Sequence, residues 1–468
     1  MINPLLASAP SDLMVTVLVQ LIVILLAARV FGGIARRLNQ PVVVGEIIGG
    51  ILLGPSLFKA VAPEVWASIF KPDAVPIFNI LKELGLVLLL FLVGLEFEFS
   101  HLRRMGKSSF FISLSGILLP FLLGILLAWL MYQALPMTVE GRPIEFMHFM
   151  LFMGTAMSIT ALPILGRIMM ELNITRTKLG VTTITAGAVD DACAWIILAT
   201  VAGIVRAGQA GQAFDFGVTL RMIGMTLGFL ALMLLVLRPV LSKAIRWYFQ
   251  RTGGELGATG LAVLLALLFL CSIATELIGI FAIFGAFLLG AALSQEKQLH
   301  EAVNAQMKTF VIAFFLPIFF TFTGLRTNIG GLDSWLQVGF CALVLLAAVA
   351  GKFGGCYVTS RWAGFTRREA GCIAVMMNTR ALMELIVVNV GLDLHVITPE
   401  VFTMLVLMAV ITTIMTTPIL LRLYRGTELE PFIDATPFGR KGHAVPAMAT
   451  GPITDPAAAE APTEEMKM

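Results

Sequence analysis

The sequence predicts an all-α polytopic membrane protein, and three observations support this fold class. Of the 468 residues, 58% are hydrophobic and 13% are charged, whereas about 25% of the residues of an average soluble protein are charged. The mean hydropathy is +0.93. Apolar stretches long enough to cross a bilayer recur along the chain. No basic segment precedes the first of them, so it is expected to remain as a membrane helix and not to be cleaved as a signal peptide.

The apolar stretches predict about thirteen transmembrane helices. Their approximate spans are 12–31, 42–58, 76–97, 108–133, 146–169, 179–205, 217–238, 256–277, 279–295, 309–325, 334–360, 369–391 and 399–421. Thirteen spans divide into six, one and six, which predicts two six-helix halves of opposite orientation, as in transporters built from inverted repeats. In this arrangement the fifth span corresponds to the twelfth, and the sixth to the thirteenth.

Positive charges predict the orientation of these spans. One set of alternate loops, together with the C-terminal flank, holds most of the lysines and arginines. The opposite loops hold only Lys59, Lys71, Arg142, Arg206 and Arg326. Because positively charged loops stay in the cytoplasm, the N-terminus is predicted to lie outside and the C-terminus inside a bacterial inner membrane.

Residues 1–426 are predicted to form the membrane domain, and residues 427–468 a disordered cytoplasmic tail. The stretch from Ala444 to Met468 is rich in Ala, Pro, Thr and Glu and lacks apolar periodicity, a composition typical of disorder. No glycine-rich fingerprint follows a strand, so no nucleotide-binding domain is predicted. No cofactor, resident metal or nucleic-acid partner is expected, because the five cysteines lie in apolar segments without ligand spacing.

Two adjacent acids, Asp190 and Asp191, lie in the middle of the apolar segment 179–205. A single aspartate at mid-bilayer depth costs roughly 2.5–3.5 kcal/mol, so the pair predicts a proton or cation site. Neighbouring residues of a helix point about 100° apart, so the two carboxylates must contact different partners. Burial favours a protonated carboxyl and a nearby cation favours the charged form. One such carboxylate could therefore exchange a proton for an alkali cation.

Two predicted spans, the fifth and the twelfth, are interrupted by polar residues at mid-depth. The residues that interrupt them are Ser158, Thr160 and Pro163 in AMSITALPIL, and Asn378, Thr379, Arg380 and Glu384 in MMNTRALMEL. A proline removes a backbone donor and frees a carbonyl group. Interrupted helices at equivalent positions of inverted halves predict a binding site where they cross.

Structural roles compete with functional ones for several of these residues. Ser158 and Thr160 either belong to the site or only hydrogen-bond one helix to another. Arg380 and Glu384 are four residues apart, a spacing that favours a self-contained ion pair over ion binding. Glu46 either neutralises a cation path or extends to the nearby cytoplasmic surface.

Lys352 is the remaining charged candidate within a predicted span. It lies nine residues before Arg361 in VAGKFGGCY, too deep for its ammonium group to reach the membrane surface. A lysine at this depth predicts a buried carboxylate partner.

Four segments resemble the monovalent cation:proton antiporter family of the Kef and plant cation/H+ exchanger type. They are GEIIGGILLGPS (45–56), ELGLVLLLFLVGLEFEF (83–99), AVDDACAWIILA (188–199) and NTRALMELIVVNVGLDL (378–394). The resemblance extends from about residue 20 to 422. It implies a transporter and not an enzyme, with two broken helices crossing in a mobile six-helix core. It further implies exchange of Na+ or K+ for H+ by alternating access in a homodimer, with contacts around residues 12–58 and 256–295.

The resemblance also implies roles for individual residues. Asp191 matches the ion-binding aspartate of the family, and Asp190 matches the preceding acid of its electrogenic members. Lys352 matches the lysine that pairs with this acid, and Thr160 falls in the polar breakpoint. The sequence departs from the family at Ala381, where plant relatives commonly have Gly, and in the missing Kef-type nucleotide-binding domain.

Other classes of function fit the sequence less well. An intramembrane aspartyl protease needs two acids facing each other from different helices and a GxGD motif, which the chain lacks. A proton-coupled carrier of an organic solute on a related inverted-repeat fold is the main alternative, and a channel is a further one. For an antiporter, a second acid paired with Lys352 predicts two protons per cation, and the competing prediction is a one-for-one exchange.

Overall fold

The computed structural model describes residues 10–38, 40–96, 106–175, 177–209, 216–278, 281–436 and 438. Most of them are helical. The helices of the first half of the chain are α1 (Pro10–Arg37), α2 (Val42–Leu53), α3 (Phe58–Val61), α4 (Pro63–Ile69), α5 (Val75–Leu95), α6 (Lys107–Ala134), α7 (Phe146–Ser158), α8 (Leu162–Glu171) and α9 (Lys178–Gln209). A two-stranded hairpin, β1 (Thr138–Val139) and β2 (Arg142–Pro143), connects α6 to α7.

The second half of the chain is also built of helices. They are α10 (Phe216–Ala231), α11 (Arg238–Arg251), α12 (Ala258–Ile278), α13 (Ala282–Leu293), α14 (Lys297–Val303), α15 (Leu316–Leu325), α16 (Trp335–Trp362), α17 (Arg367–Met377), α18 (Leu382–Asp393), α19 (Pro399–Leu423) and α20 (Glu430–Asp434). Short π-helical segments join α10 to α11 and α14 to α15.

Long apolar helices confirm the predicted all-α polytopic class. Within the described ranges, ten helices are long and apolar enough to cross a membrane, or eleven if the bent pair α17 and α18 counts as one span. The predicted spans 146–169 and 279–295 correspond to shorter helices, α7 followed by α8 in one case and α13 in the other. The count of thirteen and the inverted repeats stay predictions.

The long helices pack into two groups, which we call the panel and the core. The panel consists of α1, α2, α5, α12, α13 and α15, and the core of α6 to α9 and α16 to α19. Helices α10 and α11 connect the two groups. In the panel, α5 and α13 approach until a Cβ on Gly94 would lie 2.3 Å from the Phe287 carbonyl oxygen. Each group therefore has its own close internal packing.

The end of the chain corrects the predicted boundary of the tail. Residues 427–436 pack against the core and contain α20, with Leu429 and Ile433 fully buried. Glu428 accepts a hydrogen bond from the backbone N–H of Leu179 at the start of α9. Because apolar side chains of this segment have a core surface to bury against, the folded domain extends to at least residue 436. The rest of the predicted tail, residues 439–468, lies outside the described residues.

The predicted orientation rests in part on basic residues of connecting segments. Three of these, Arg103, Arg104 and Arg176, lie outside the described residues. The orientation stays a prediction.

Candidate functional site

Two helices of the core are each broken near their middle, and the breaks meet. Residues 159–161 separate α7 from α8, and residues 378–381 separate α17 from α18. The axes of α17 and α18 are bent by 41°. The backbone N–H of Ala161 donates to the carbonyl oxygen of Thr379 at 3.0 Å. Both interruptions in the sequence therefore are helix breaks, and they lie in contact.

The two breaks are built differently. Pro163 lies in the first turn of α8, where its missing N–H would have no helical partner in any case. It starts a second half-helix and does not kink a continuous one. The second break contains neither Pro nor Gly and turns at Ala381, which has a φ of +76° and is fully buried. An L-residue is strained in this conformation, which glycine adopts readily.

Two buried cations occupy the C-terminal end of α7 at the first break. The last carbonyl groups of a helix have no intrahelical donor and carry a partial negative charge. The Arg380 guanidinium donates to the carbonyl oxygens of Ala156 at 3.1 Å and Met157 at 2.6 Å. Lys352 Nζ donates to the carbonyl oxygen of Ser158 at 2.5 Å. Both cations are fully buried, so they neutralise the end of this half-helix.

Asp190 is bound by three donors from three different helices or breaks. Lys352 Nζ and Thr160 Oγ1 donate to Asp190 Oδ2 at 2.7 Å and 2.6 Å, and Ser113 Oγ donates to Oδ1 at 2.6 Å. Lys352 thus has the buried carboxylate partner that its depth in the membrane predicts. Ser113 was not a predicted site residue, because it is one of several serines near the start of α6 and the sequence does not distinguish it.

Close packing of α6 on α16 keeps Ser113 and Lys352 against this carboxylate. A Cβ on Gly355 would lie 2.7 Å from the carbonyl oxygen of Ser115. Thr359 Oγ1 donates to Ser115 Oγ at 2.8 Å, and Ser115 Oγ donates to the Gly355 carbonyl oxygen at 3.1 Å. The two helices are therefore fixed relative to each other next to Asp190.

Asp191 has fewer partners than its neighbour. It is 1% exposed and accepts a hydrogen bond from the backbone N–H of Leu162, the first residue of α8. Its Oδ1 atom is buried without a hydrogen-bond partner in the described part of the chain. A buried carboxylate oxygen in this state needs a proton, a cation or water to satisfy it. Of the two acids, Asp191 is the one with an open ligand position.

Residues 22–423 match the family model of the sodium/hydrogen exchanger transmembrane domain. The chain belongs to this exchanger family. It is an integral membrane protein of a family of transporters and not an enzyme. The resemblance inferred from the four sequence segments is confirmed.

Several characterised relatives cover most of this exchanger. It is 39% identical to the Na(+)/H(+) antiporter NhaS4 of Synechocystis, over 88% of this chain and 98% of that protein. Cation/H(+) antiporter 20 of Arabidopsis thaliana is 36% identical over 88% of this chain and 49% of its own length. K(+)/H(+) antiporter 1 of Saccharomyces cerevisiae is 28% identical over 82% of this chain and 43% of its own length. The chain therefore spans less than half of the plant and yeast relatives and nearly all of the cyanobacterial one.

A solved structure has the same fold. The sodium proton antiporter MjNhaP1 from Methanocaldococcus jannaschii is similar with a TM-score of 0.58 and 16% identity, over 88% of this chain and 96% of that one. At this identity the likeness shows the fold alone.

The other predicted site residues differ in their hydrogen-bond and ion-pair partners. Arg380 Nη1 lies 3.1 Å from Glu384 Oε2, so the predicted i,i+4 ion pair is present and fully buried. The hydroxyl of Ser158 donates to the carbonyl oxygen of Thr155 on its own helix at 2.8 Å. The Asn378 side chain lies in the second break, with Oδ1 buried and without a hydrogen-bond partner among the described residues.

Glu46 is a buried acid on a panel helix. It is 2% exposed on α2 of the panel. This burial does not fit a side chain that extends to the membrane surface. The breaks themselves are formed by core helices, whereas Glu46 belongs to a helix of the panel.

Proposed function

We propose that this protein is a secondary active antiporter that exchanges Na+ or K+ for H+ by alternating access. The open Oδ1 position of Asp191, at the crossing of two broken helices, is the observation that supports this function most directly. The relatives named above as Na(+)/H(+) and K(+)/H(+) antiporters support it as well.

Competition for Asp191 explains how the two ions are coupled. A buried carboxylate is stable when it is protonated or when it holds a cation, and it is costly when it holds neither. Each ion therefore leaves when the other takes its place. Carboxylate, hydroxyl and carbonyl oxygens are hard ligands that suit alkali cations. The backbone groups of the two breaks and the Thr160 and Asn378 side chains can supply such oxygens.

The pair formed by Asp190 and Lys352 makes the exchange electrogenic in our proposal. When the cation binds to Asp191, that carboxyl releases one proton, and Lys352 releases a second on losing its partner, so that two protons move against one cation. One net charge then crosses the membrane, and the potential contributes about 2.3 kcal/mol per 100 mV. The competing possibility is that the ion pair only holds the fold and that one proton exchanges for one cation.

Homodimerisation through the panel belongs to the same proposal, around residues 12–58 and 256–295. The exposed face of α1 carries Ile22, Leu26 and Val30, and that of α12 carries Ile273 and Leu277. These apolar faces suit either lipid or a second copy. Single cysteines introduced there are expected to cross-link into dimers, and a strictly monomeric particle in mild detergent would contradict the dimer.

Purified protein in vesicles with an internal pH dye tests the function. Addition of Na+ or K+ is expected to change the dye signal, in a series that also includes Li+ and Rb+. A protein that moved protons only when an organic solute was added would instead be the proton-coupled solute carrier. The proposed place of the exchanger is the inner membrane of a bacterium, with the C-terminus in the cytoplasm, where such exchange would serve pH homeostasis.

A further inference from the structure

The panel and the core face each other across a cavity of about 450 Å³. The cavity lies where α9 and α18 end, so it is at the opposite end of α9 from Glu428. Its charged and polar lining residues are Lys82, Glu83, Arg206, Glu276, Asn389 and Asp393. The sequence pattern predicts none of these six as a site residue.

Asp393 is the point at which two cations of the panel meet one carboxylate of the core. It is the last residue of α18. Its Oδ2 atom lies 3.3 Å from Lys82 Nζ of α5, and its Oδ1 atom lies 2.8 Å from Arg326 Nη2, at the end of α15. The Lys82 side chain is 4% exposed and that of Asp393 is 45% exposed.

A second contact between α18 and the panel lies one turn earlier along α18. Asn389 Nδ2 donates to Thr323 Oγ1 of α15 at 2.9 Å, and Arg326 Nη1 donates to Asn389 Oδ1 at 3.3 Å. Helix α18 begins at the second break, beside Arg380. The contact with the panel is therefore made by the same half-helix that begins at the second break.

The helix that carries the acid pair is attached to the panel in the same cavity. Arg206, near the end of α9, lies 3.1 Å from Glu276 of α12. The guanidinium group also lies over the Phe281 ring at 4.9 Å. Helix α9, which carries the acid pair, and helix α18, which begins at the second break, are thus both tied to the panel by charged side chains at this one end.

We propose that Asp393, Lys82 and Arg326 form a latch that closes this end of the ion path and must separate once in each transport cycle. This inference rests on the proposed function, because only a carrier with alternating access requires the core to move against the panel. On separation Asp393 regains water readily, whereas Lys82 stays buried without its counter-charge, which is unfavourable. The latch therefore favours the closed arrangement.

A reversible cross-link tests whether the contact must open. In a variant without the native cysteines, Thr323→Cys and Asn389→Cys place two thiols where the side chains now hydrogen-bond. A short thiol-specific cross-linker is expected to stop cation-dependent proton exchange, and reductant to restore it. The matched control is Glu96→Cys with Lys308→Cys, whose side chains form an ion pair within the panel and whose cross-link should leave exchange unchanged. If the protein cross-linked between positions 323 and 389 still exchanged ions at the original rate, the latch would be overturned.

A second measurement needs no transport. Ile386→Cys places a thiol on α18 in the lining of the cavity, and its reaction with a membrane-impermeant maleimide reports opening. Asp393→Asn is expected to raise the labelling rate about two- to fivefold, the range set by one partly exposed ion pair, and Asp393→Glu should restore the original rate. The control is Glu96→Gln, which breaks the Lys308–Glu96 pair within the panel at a similar exposure.

The outcomes separate the two proposals. An unchanged labelling rate in Asp393→Asn would refute the latch, whatever the protein transports. Faster labelling in a protein that exchanges no cation would keep the latch and refute the antiporter.

Discussion

The two faces of α9 at the crossing of the broken helices differ in how completely their polar groups are paired. On one face Asp190 receives hydrogen bonds from Ser113, Thr160 and Lys352. On the other face Asp191 receives one from a backbone N–H, and its Oδ1 atom has no hydrogen-bond partner among the residues that the structure describes. We call the first the paired face, and the second, which would receive the transported ion in the proposed antiporter, the open face.

The largest expected effect comes from removing the charge of the open face. Asp191→Asn keeps the shape of the side chain but neither binds a cation by charge nor releases a proton. We expect cation-dependent proton transport in vesicles to fall to the background of empty liposomes, with an unchanged elution profile in detergent. Near wild-type exchange of Na+ or K+ by this variant would show that the ion site lies elsewhere.

On the paired face, the largest effect on stability is expected from Arg380. Arg380→Met leaves Glu384 buried without its counter-charge and removes the guanidinium donor from the carbonyl groups of Ala156 and Met157, a loss of about 3–5 kcal/mol. Thermal unfolding in detergent should show a much lower midpoint. Arg380→Met with Glu384→Gln should recover part of this loss, because no lone charge then remains. If the single variant were as stable as the wild type, the guanidinium would not hold this break.

Asp190→Asn tests what the paired face contributes to transport. The amide keeps a carbonyl acceptor for Lys352 but removes the counter-charge, so we expect exchange to continue without a dependence on membrane potential. The measurement is the rate in vesicles whose voltage is clamped with an ionophore. Wild-type rates should rise or fall with the imposed potential, at up to about 2.3 kcal/mol per 100 mV for one net charge. A wild-type protein indifferent to voltage would refute the two-proton stoichiometry.

The smallest effect is expected from relieving strain in the second break. Ala381→Gly removes a penalty of about 1–3 kcal/mol for the positive φ and adds roughly 0.5–1 kcal/mol of chain entropy to the unfolded state. The net result should be a small rise in the unfolding midpoint. Gly354→Ala, in the helical interior of α16, is a control at a position where an added Cβ meets open space. A lower midpoint for Ala381→Gly would mean that the turn carries no strain.

The sequence of this chain determined its class and much of its site. Long apolar stretches have few ways to satisfy their backbone groups in a bilayer, so composition alone predicts helices. The same argument makes a lysine at the depth of Lys352 require an acid, and Asp190 is that acid. The two breaks were visible as polar residues in apolar spans.

Only the tertiary structure decided which groups pair across those breaks. Ser113 and Asp190 are 77 residues apart, and Arg380 reaches carbonyl groups more than 220 residues before it. The contacts of Asp393 and the burial of residues 427–436 arise in the same way, because they join segments that are far apart in the sequence. Local patterns report the cost of burying a polar group, but its partner is set by the packing of the whole core. Within the described part of the chain, this packing gives Asp190 three donors and leaves Asp191 Oδ1 without one.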